Sequence, residues 1–305
     1  MNDFKLFRQP LFALTTTVLF LHIATPLFAN KIDDLNTDED VENFMHKHDK
    51  KFKDFYVASI KTLYYDTIQQ KIADSLGVHP WQKVDFDKNG ITDMLVYGMW
   101  DSRNYLIAVI DEGKDFVFRS LNRGFFDNVY FPVVTTIDKQ VFLVLNKGCE
   151  FCRNNERKII STDTLIYKYG DFIEPNFKSS TYKIEKVEFS TTMCFGTCPV
   201  FELEINSDRT SKYNATQYND KTGKFKTTID TANFNLIISL LNYIDFPNLK
   251  DDYSVNWTDD QSCTLTILYD NGKTKKILDY GEIGTNGLRI IYNKLFALRK
   301  NQKWK

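Results

Sequence analysis

An apolar run at 11–23, broken mainly by Thr15, Thr16 and Thr17, follows the positive charges of Lys5 and Arg8. Pro26 and then Leu27-Phe28-Ala29 close it. A basic start, an apolar centre and a small residue at the end are the order of a secretory signal peptide. The run is shorter than the roughly 20 apolar residues that a spanning helix needs. Residues 1–29 are therefore expected to be a signal peptide, cleaved after Ala29, and the mature protein to be exported, periplasmic or secreted.

From 37 to 75 the apolar positions fall at helical steps. Thr37 can cap, and Asp38, Glu39 and Asp40 suit the positive end of a helix. Phe44, His48, Phe52, Phe55 and Tyr56 follow at three- and four-residue spacing, then Ile60, Leu63 and Tyr64. One long or two shorter amphipathic helices are predicted. After Ile91 the period becomes two, and strands are predicted at 94–99, 105–110, 116–121, 129–137, 141–145 and 164–169. Short polar turns between them indicate an antiparallel meander.

The pattern loosens at 175–180, where a domain boundary is expected. Strands are predicted beyond it at 182–189, 200–205, 211–218 and 225–229. Phe201, Leu203 and Ile205 alternate with Glu202 and Glu204, so one face of that sheet is wet. Asp230 or Thr231 caps a helix with Phe234, Ile237, Ile238 and Leu241 on one face. Asp270-Asn271-Gly272 then turns a hairpin, since Asn-Gly tolerates the positive φ such turns require. A last helix aligns Leu288, Ile291, Tyr292 and Leu295. The expected fold class is α+β. N-terminal helices lie on an antiparallel β meander at 30–178, followed at 179–305 by an α+β domain of four strands, a helix, a β hairpin and a helix.

Composition narrows the function classes. A chain of 305 residues with 43% hydrophobic positions can build about two cores. A formal net charge of -1 gives no long-range attraction for nucleic acid or an anionic membrane. No transmembrane segment is expected in the mature chain. Partners are expected to be a protein or a small-molecule ligand.

Two short motifs carry a resemblance. Cys194-Phe195-Gly196-Thr197-Cys198-Pro199 followed by Val200-Phe201-Glu202-Leu203 is similar to the marker of an uncharacterised bacterial family, a domain of unknown function. Trp257-Thr258-Asp259 before a late strand resembles a second marker. The similarity runs over about 183–303. It implies an exported bacterial protein and no known activity, so no catalytic residue is carried over.

The candidate chemistry begins at Asp85-Phe86-Asp87-Lys88-Asn89-Gly90-Ile91-Thr92-Asp93, a D-x-D-x-N-G-x-x-D pattern. Asp85, Asp87, Asn89 and Asp93 supply hard oxygens at spaced positions, and the Ile91 carbonyl can add another. Ca²⁺ takes six to eight such ligands. An EF-hand would carry Glu at the twelfth position, which is Val96 here, and the loop leads into a strand. It resembles the calcium loops that precede strands in exported repeat proteins. A structural Ca²⁺ is the expected cofactor; the alternative is an Asx-rich turn without an ion.

The five cysteines are Cys149, Cys152, Cys194, Cys198 and Cys263. In an exported chain, disulfides Cys194–Cys198 and Cys149–Cys152 are expected, with Cys263 buried in its strand. Two other readings stay open: redox activity at Cys149-Glu150-Phe151-Cys152, and zinc held by both pairs. No histidine follows His79, so the second domain has no Ser-His or Cys-His pair of its own. His46 and His48, two apart, are expected on a solvated helix face. Asp251-Asp252 and Asp259-Asp260 are expected in polar loops.

No assembled nucleophile, base or cofactor motif is legible. The favoured reading is an exported, non-catalytic protein that binds a ligand or supports an envelope complex. The alternative is a thiol-disulfide oxidoreductase using Cys149 and Cys152. An insulin-reduction assay separates them: the favoured reading expects no thiol-dependent turnover beyond that of Cys149→Ser, whereas turnover lost in that variant would install the alternative.

Overall fold

The computed structural model describes residues 30–64, 66–101, 103–123, 129–148 and 159–305. The expected signal peptide at 1–29 and the pair Cys149 and Cys152 lie outside the described residues. The chain is mixed α and β, with mostly antiparallel sheets and five α-helices among the described residues.

Helix α1 spans Asp38–His48, and Thr37 and Asp40 form a reciprocal cap at its start. Its Val41, Phe44 and Met45 are buried. The helical spacing beyond it does not continue as helix. Asp49 is extended and its carboxylate accepts from the Lys51 amide, which starts a separate 3₁₀ turn at Lys50–Phe52. Strand β1, Tyr56–Val57, comes next, then α2 at Ile60–Leu63 and α3 at Thr67–Leu76. Tertiary burial overrides the local period: Phe52 packs its ring near Phe118 and Trp100, which lie on strands. His46 and His48 are half-buried rather than solvated, with His46 Nε2 at 2.6 Å from the Phe55 carbonyl.

The predicted single meander is two sheets. The first contains β2 (Trp81–Val84), β3 (Asp93–Trp100), β4 (Arg103–Asp111) and β5 (Phe116–Ser120), with β1 and β2 sharing one edge of β3. The second is β6 (Val129–Ile137), β7 (Gln140–Gly148), β8 (Ile159–Lys168) and β9 (Asp171–Ile173), in that order. Strand β3 explains the split, because it is buried on both faces. Met94 and Val96 join Ile107 and Val109 beneath α1. Leu95, Tyr97 and Met99 face Phe131, Leu143 and Leu165 of the second sheet. Such a strand requires a layer on each side. At Gly98 a side chain would strike the Phe55 ring and the Tyr56 carbonyl, so glycine lets β1 close on β3.

The C-terminal half is one seven-stranded sheet. In chain order its strands are β10 (Ile184–Thr191), β11 (Val200–Asn206), β12 (Thr210–Gln217), β13 (Gly223–Thr228), β14 (Asp252–Ser254), β15 (Ser262–Tyr269) and β16 (Lys273–Tyr280). Their spatial order is β13-β12-β11-β10-β15-β16-β14, and only β14 runs parallel to its neighbour. Helices α4 (Thr231–Tyr243) and α5 (Asn286–Asn301) cover one face. The opposite face carries Glu188, Glu202, Glu204 and Lys212.

The two halves share packing. Ile166 of β8 and Ile173 of β9 belong to the same buried cluster as Leu288 and Ile291 of α5. Glu174 follows β9 and reaches the start of α5, where its carboxylate accepts from the Asn286 amide at 2.7 Å and the Gly287 amide at 3.0 Å. It also accepts from Asn286 Nδ2. The first amides of a helix have no partner within the helix, and their dipoles favour a negative charge. Thr285 supplies the remaining cap by accepting from the Leu288 amide.

Glu174→Ala is expected to lower the unfolding free energy by about 2 kcal/mol, since it removes a charged acceptor from buried amides. Urea denaturation followed by circular dichroism measures this. An unchanged midpoint would show that the amides find other acceptors.

Candidate metal centre and disulfide loop

The Asp85–Asp93 segment is the turn between β2 and β3. Lys88 and Gly90 take left-handed backbone angles, φ 65° and 82°, and reverse the chain. Asp85 accepts from the Lys88 amide at 2.7 Å and the Gly90 amide at 3.0 Å. Asp87 accepts from the Asn89 amide, and the Asn89 side-chain oxygen from the Ile91 amide at 2.7 Å. These local bonds explain why Asp and Asn populate the turn. Phe86 is buried and meets Phe172 edge to face at 4.9 Å, which anchors the turn on the second sheet.

Asp93 begins β3 and is fully buried. One carboxylate oxygen accepts from the Phe86 amide at 2.7 Å and the other from the Asp111 amide at 2.8 Å. Oxygens of Asp85, Asp87 and Asp93 lie within 4.8 Å of one another. Burial pushes the Asp93 carboxyl up to about 7, and the charges of Asp87 and Asp85 add to that rise against the two amide bonds. Burial also raises Asp87, with the Asp85 charge contributing. Three of the five residues expected to ligate an ion thus place side-chain oxygens together. Asn89 and Ile91 occupy the same turn; the Asn89 amide group donates to the Asp111 carbonyl at 2.8 Å.

In the C-terminal half, Cys194 and Cys198 form a disulfide with their Cα atoms 5.8 Å apart. It closes the connection between β10 and β11. The Phe195 amide donates to the Asp259 carbonyl at 2.8 Å, so the two marker motifs meet at one end of the sheet. Gln261 ties them further, donating through Nε2 to the carbonyls of Thr192 at 2.7 Å and Pro199 at 2.9 Å. Trp257 Nε1 donates to Asp260, whose own amide donates to the Tyr280 hydroxyl at 3.2 Å. Asp260 is therefore engaged rather than solvated. The tip stays open: Phe195 is 89% exposed and Met193 61%.

Cys263 is a free, buried cysteine on β15. Burial, with Glu282 and Asp279 nearby, pushes its thiol far up, so it is held protonated and unreactive. Sequence spacing missed the polar group around it. Asp279, fully buried, accepts from the Ile283 amide at 2.8 Å and the Gly284 amide at 2.9 Å. Arg123 of the first half donates to the Glu282 carbonyl at 3.0 Å. The Arg123 bond joins residues 159 positions apart, which no local pattern encodes.

An α+β domain with a disulfide-closed loop between its first two strands and a tryptophan loop beside it defines the C-terminal half. Residues 185–299 match the model of a family described as a domain of unknown function, DUF6438. The match begins in β10 and ends in α5, so it includes both marker loops. A search of curated proteins found no match.

Because the Asp93 carboxyl is raised to about 7 from an ordinary 3.8, the folded chain holds more protons than the unfolded chain between those values. Stability of the metal-free protein is therefore expected to fall as pH rises through that window. Asp93→Asn should flatten the fall. Thermal unfolding in the presence of a chelator, across the window, checks the slope; identical slopes in both proteins would contradict the assignment.

Proposed function

We propose that this chain is an exported, non-catalytic binding protein, periplasmic or secreted, whose N-terminal sheets are braced by a structural Ca²⁺. The observation that carries the reading is the convergence of the Asp85, Asp87 and Asp93 carboxylates at the start of the doubly buried strand β3. Three carboxylates close together repel one another, and a divalent cation offsets that repulsion. Asn89 and the Ile91 carbonyl complete the proposed ligand set, with water filling the rest. The ion would tie the β2–β3 turn to the Asp111 end of β4, because Asp93 already bonds the Asp111 amide.

The Cys194–Cys198 disulfide supports export, since such crosslinks persist in oxidising compartments. Among the described residues no helix is long and apolar enough to cross a membrane. The binding role draws on the C-terminal half, which presents a rigid crosslinked loop with an exposed aromatic tip. Rigid aromatic tips lose little entropy on docking.

Calorimetric titration of chelator-stripped protein with Ca²⁺ tests the metal. Saturable heat is expected, with stabilisation of about 3 kcal/mol at a hundredfold excess over the dissociation constant. Asp85→Asn with Asp93→Asn should abolish both effects. No heat at millimolar Ca²⁺ removes the proposal.

A further inference from the structure

The C-terminal tail builds a cavity unrelated to the Asp85 turn. After α5 the chain turns back along β13. The Lys226 and Lys305 backbones exchange hydrogen bonds at 2.8 and 3.0 Å, and the Thr227 hydroxyl donates to the Lys303 carbonyl at 3.0 Å. Gln302 and Asp230 bond each other, with the Gln302 amide group donating to the carboxylate at 2.6 Å. The tail is thereby fixed against the sheet edge. Between it and the 218–222 turn lies a cavity of about 380 Å³. That is within the size range of small-molecule clefts, roughly 300–1,000 Å³.

Its lining combines two chemistries. Tyr213, Phe225 and Trp304 supply aromatic surface. The buried Tyr213 ring lies 5.1 Å from Trp304 and 5.9 Å from Phe225, so it backs the two rings that the cavity exposes. Trp304 is set in place by its Nε1, which donates to the Leu298 carbonyl at 2.9 Å. Cations make the rim: Lys221, Arg299, Lys300 and Lys303, against the single carboxylate of Asp220. Lys300 and Asp220 are exposed and 4.0 Å apart, a pair of little strength.

Arg299 is the ordered cation. Its guanidinium lies over the Phe201 and Phe296 rings at 4.9 and 5.3 Å. It donates through Nη1 to Asn219 Oδ1 at 2.9 Å and through Nε to the Phe296 carbonyl at 3.0 Å. Asn219 also accepts from the Tyr213 hydroxyl at 2.9 Å, so ring wall and charge share one support.

We propose that this cavity is a binding site for a small ligand with a flat apolar body and one anionic group, a carboxylate or a phosphate. The body stacks on the partly exposed Trp304 and Phe225 rings, and the anion meets the Lys221, Arg299 and Lys303 charges. A neutral ring would gain only the stacking, and a bare anion only a screened charge at an exposed rim. Both together give selectivity. The site is separate from the Asp85 loop and needs no Ca²⁺.

Ligand-observed NMR and calorimetry on the mature chain, with and without a chelator, test this using 2-naphthoate, 2-naphthyl phosphate, 2-naphthol and acetate. At least one naphthyl anion is expected to bind saturably, about tenfold or more tighter than 2-naphthol, and acetate to show no saturation. The stronger anion identifies the preferred group. Lys221→Glu with Lys303→Glu, both at exposed positions, should weaken that anion about tenfold and leave 2-naphthol unchanged. Trp304→Phe should weaken the naphthyl ligands alike, with circular dichroism confirming the fold. Equal binding of the anions and 2-naphthol, or anion binding unchanged in the double lysine variant, overturns the proposal. So does the lack of saturation at about 10 mM. Chelator-independent binding alongside a failed Ca²⁺ titration would remove the metal reading and keep this one.

Discussion

The start of α5 is the constraint on which the arrangement of the two halves depends. A buried helix begins with amide hydrogens that nothing inside the helix can accept. Here the acceptor is Glu174, 112 residues earlier than Asn286 in the chain. The carboxylate can reach only if β9 ends beside the helix. Gly287 permits that approach, since a side chain there would meet Ile244 and crowd Ile173. Asn176 adds to the seam, donating its amide hydrogen to the Tyr243 hydroxyl at 2.8 Å. The end of the second sheet is thus also a wall of the C-terminal core.

Within the first half, β3 has the equivalent position. It is buried on both faces, with helices on one side and a second sheet on the other. A strand so enclosed has no solvent to satisfy a polar side chain, yet it opens on Asp93. That carboxylate survives because two amides converge on it, and burial still holds its proton more tightly than usual. The neighbouring Asp85 and Asp87 increase the charge at the same point. Burial, amide donors and clustered oxygens make this turn the chemically distinctive place in the N-terminal half. The C-terminal half contributes a crosslinked loop at one end of its sheet and a cavity beside its edge strand β13.

The alternation of Phe201, Leu203 and Ile205 with Glu202 and Glu204 was enough to predict a sheet with one wet face, because burial on one side imposes a period of two. The Asp85–Asp93 spacing was also legible, since Asx turns and a positive-φ Gly90 are local matters. Local spacing failed at Phe52, Phe55 and Tyr56. Their helical steps were real in the sequence, but Asp49 ended the helix, Phe52 and Phe55 packed onto the strands, and Tyr56 became part of one.

The sequence by itself determined the mixed α and β character, the acidic turn and the cysteine spacing that allowed Cys194 to meet Cys198. Each depends on residues a few positions apart. Tertiary structure decided that the meander would be two sheets, because only packing reveals a strand that needs cover on both faces. It also brought Phe195 to Asp259, Arg123 to Glu282 and Tyr213 to Trp304. Those partners are distant in sequence, and no periodicity records which distant groups will satisfy one another when the chain closes.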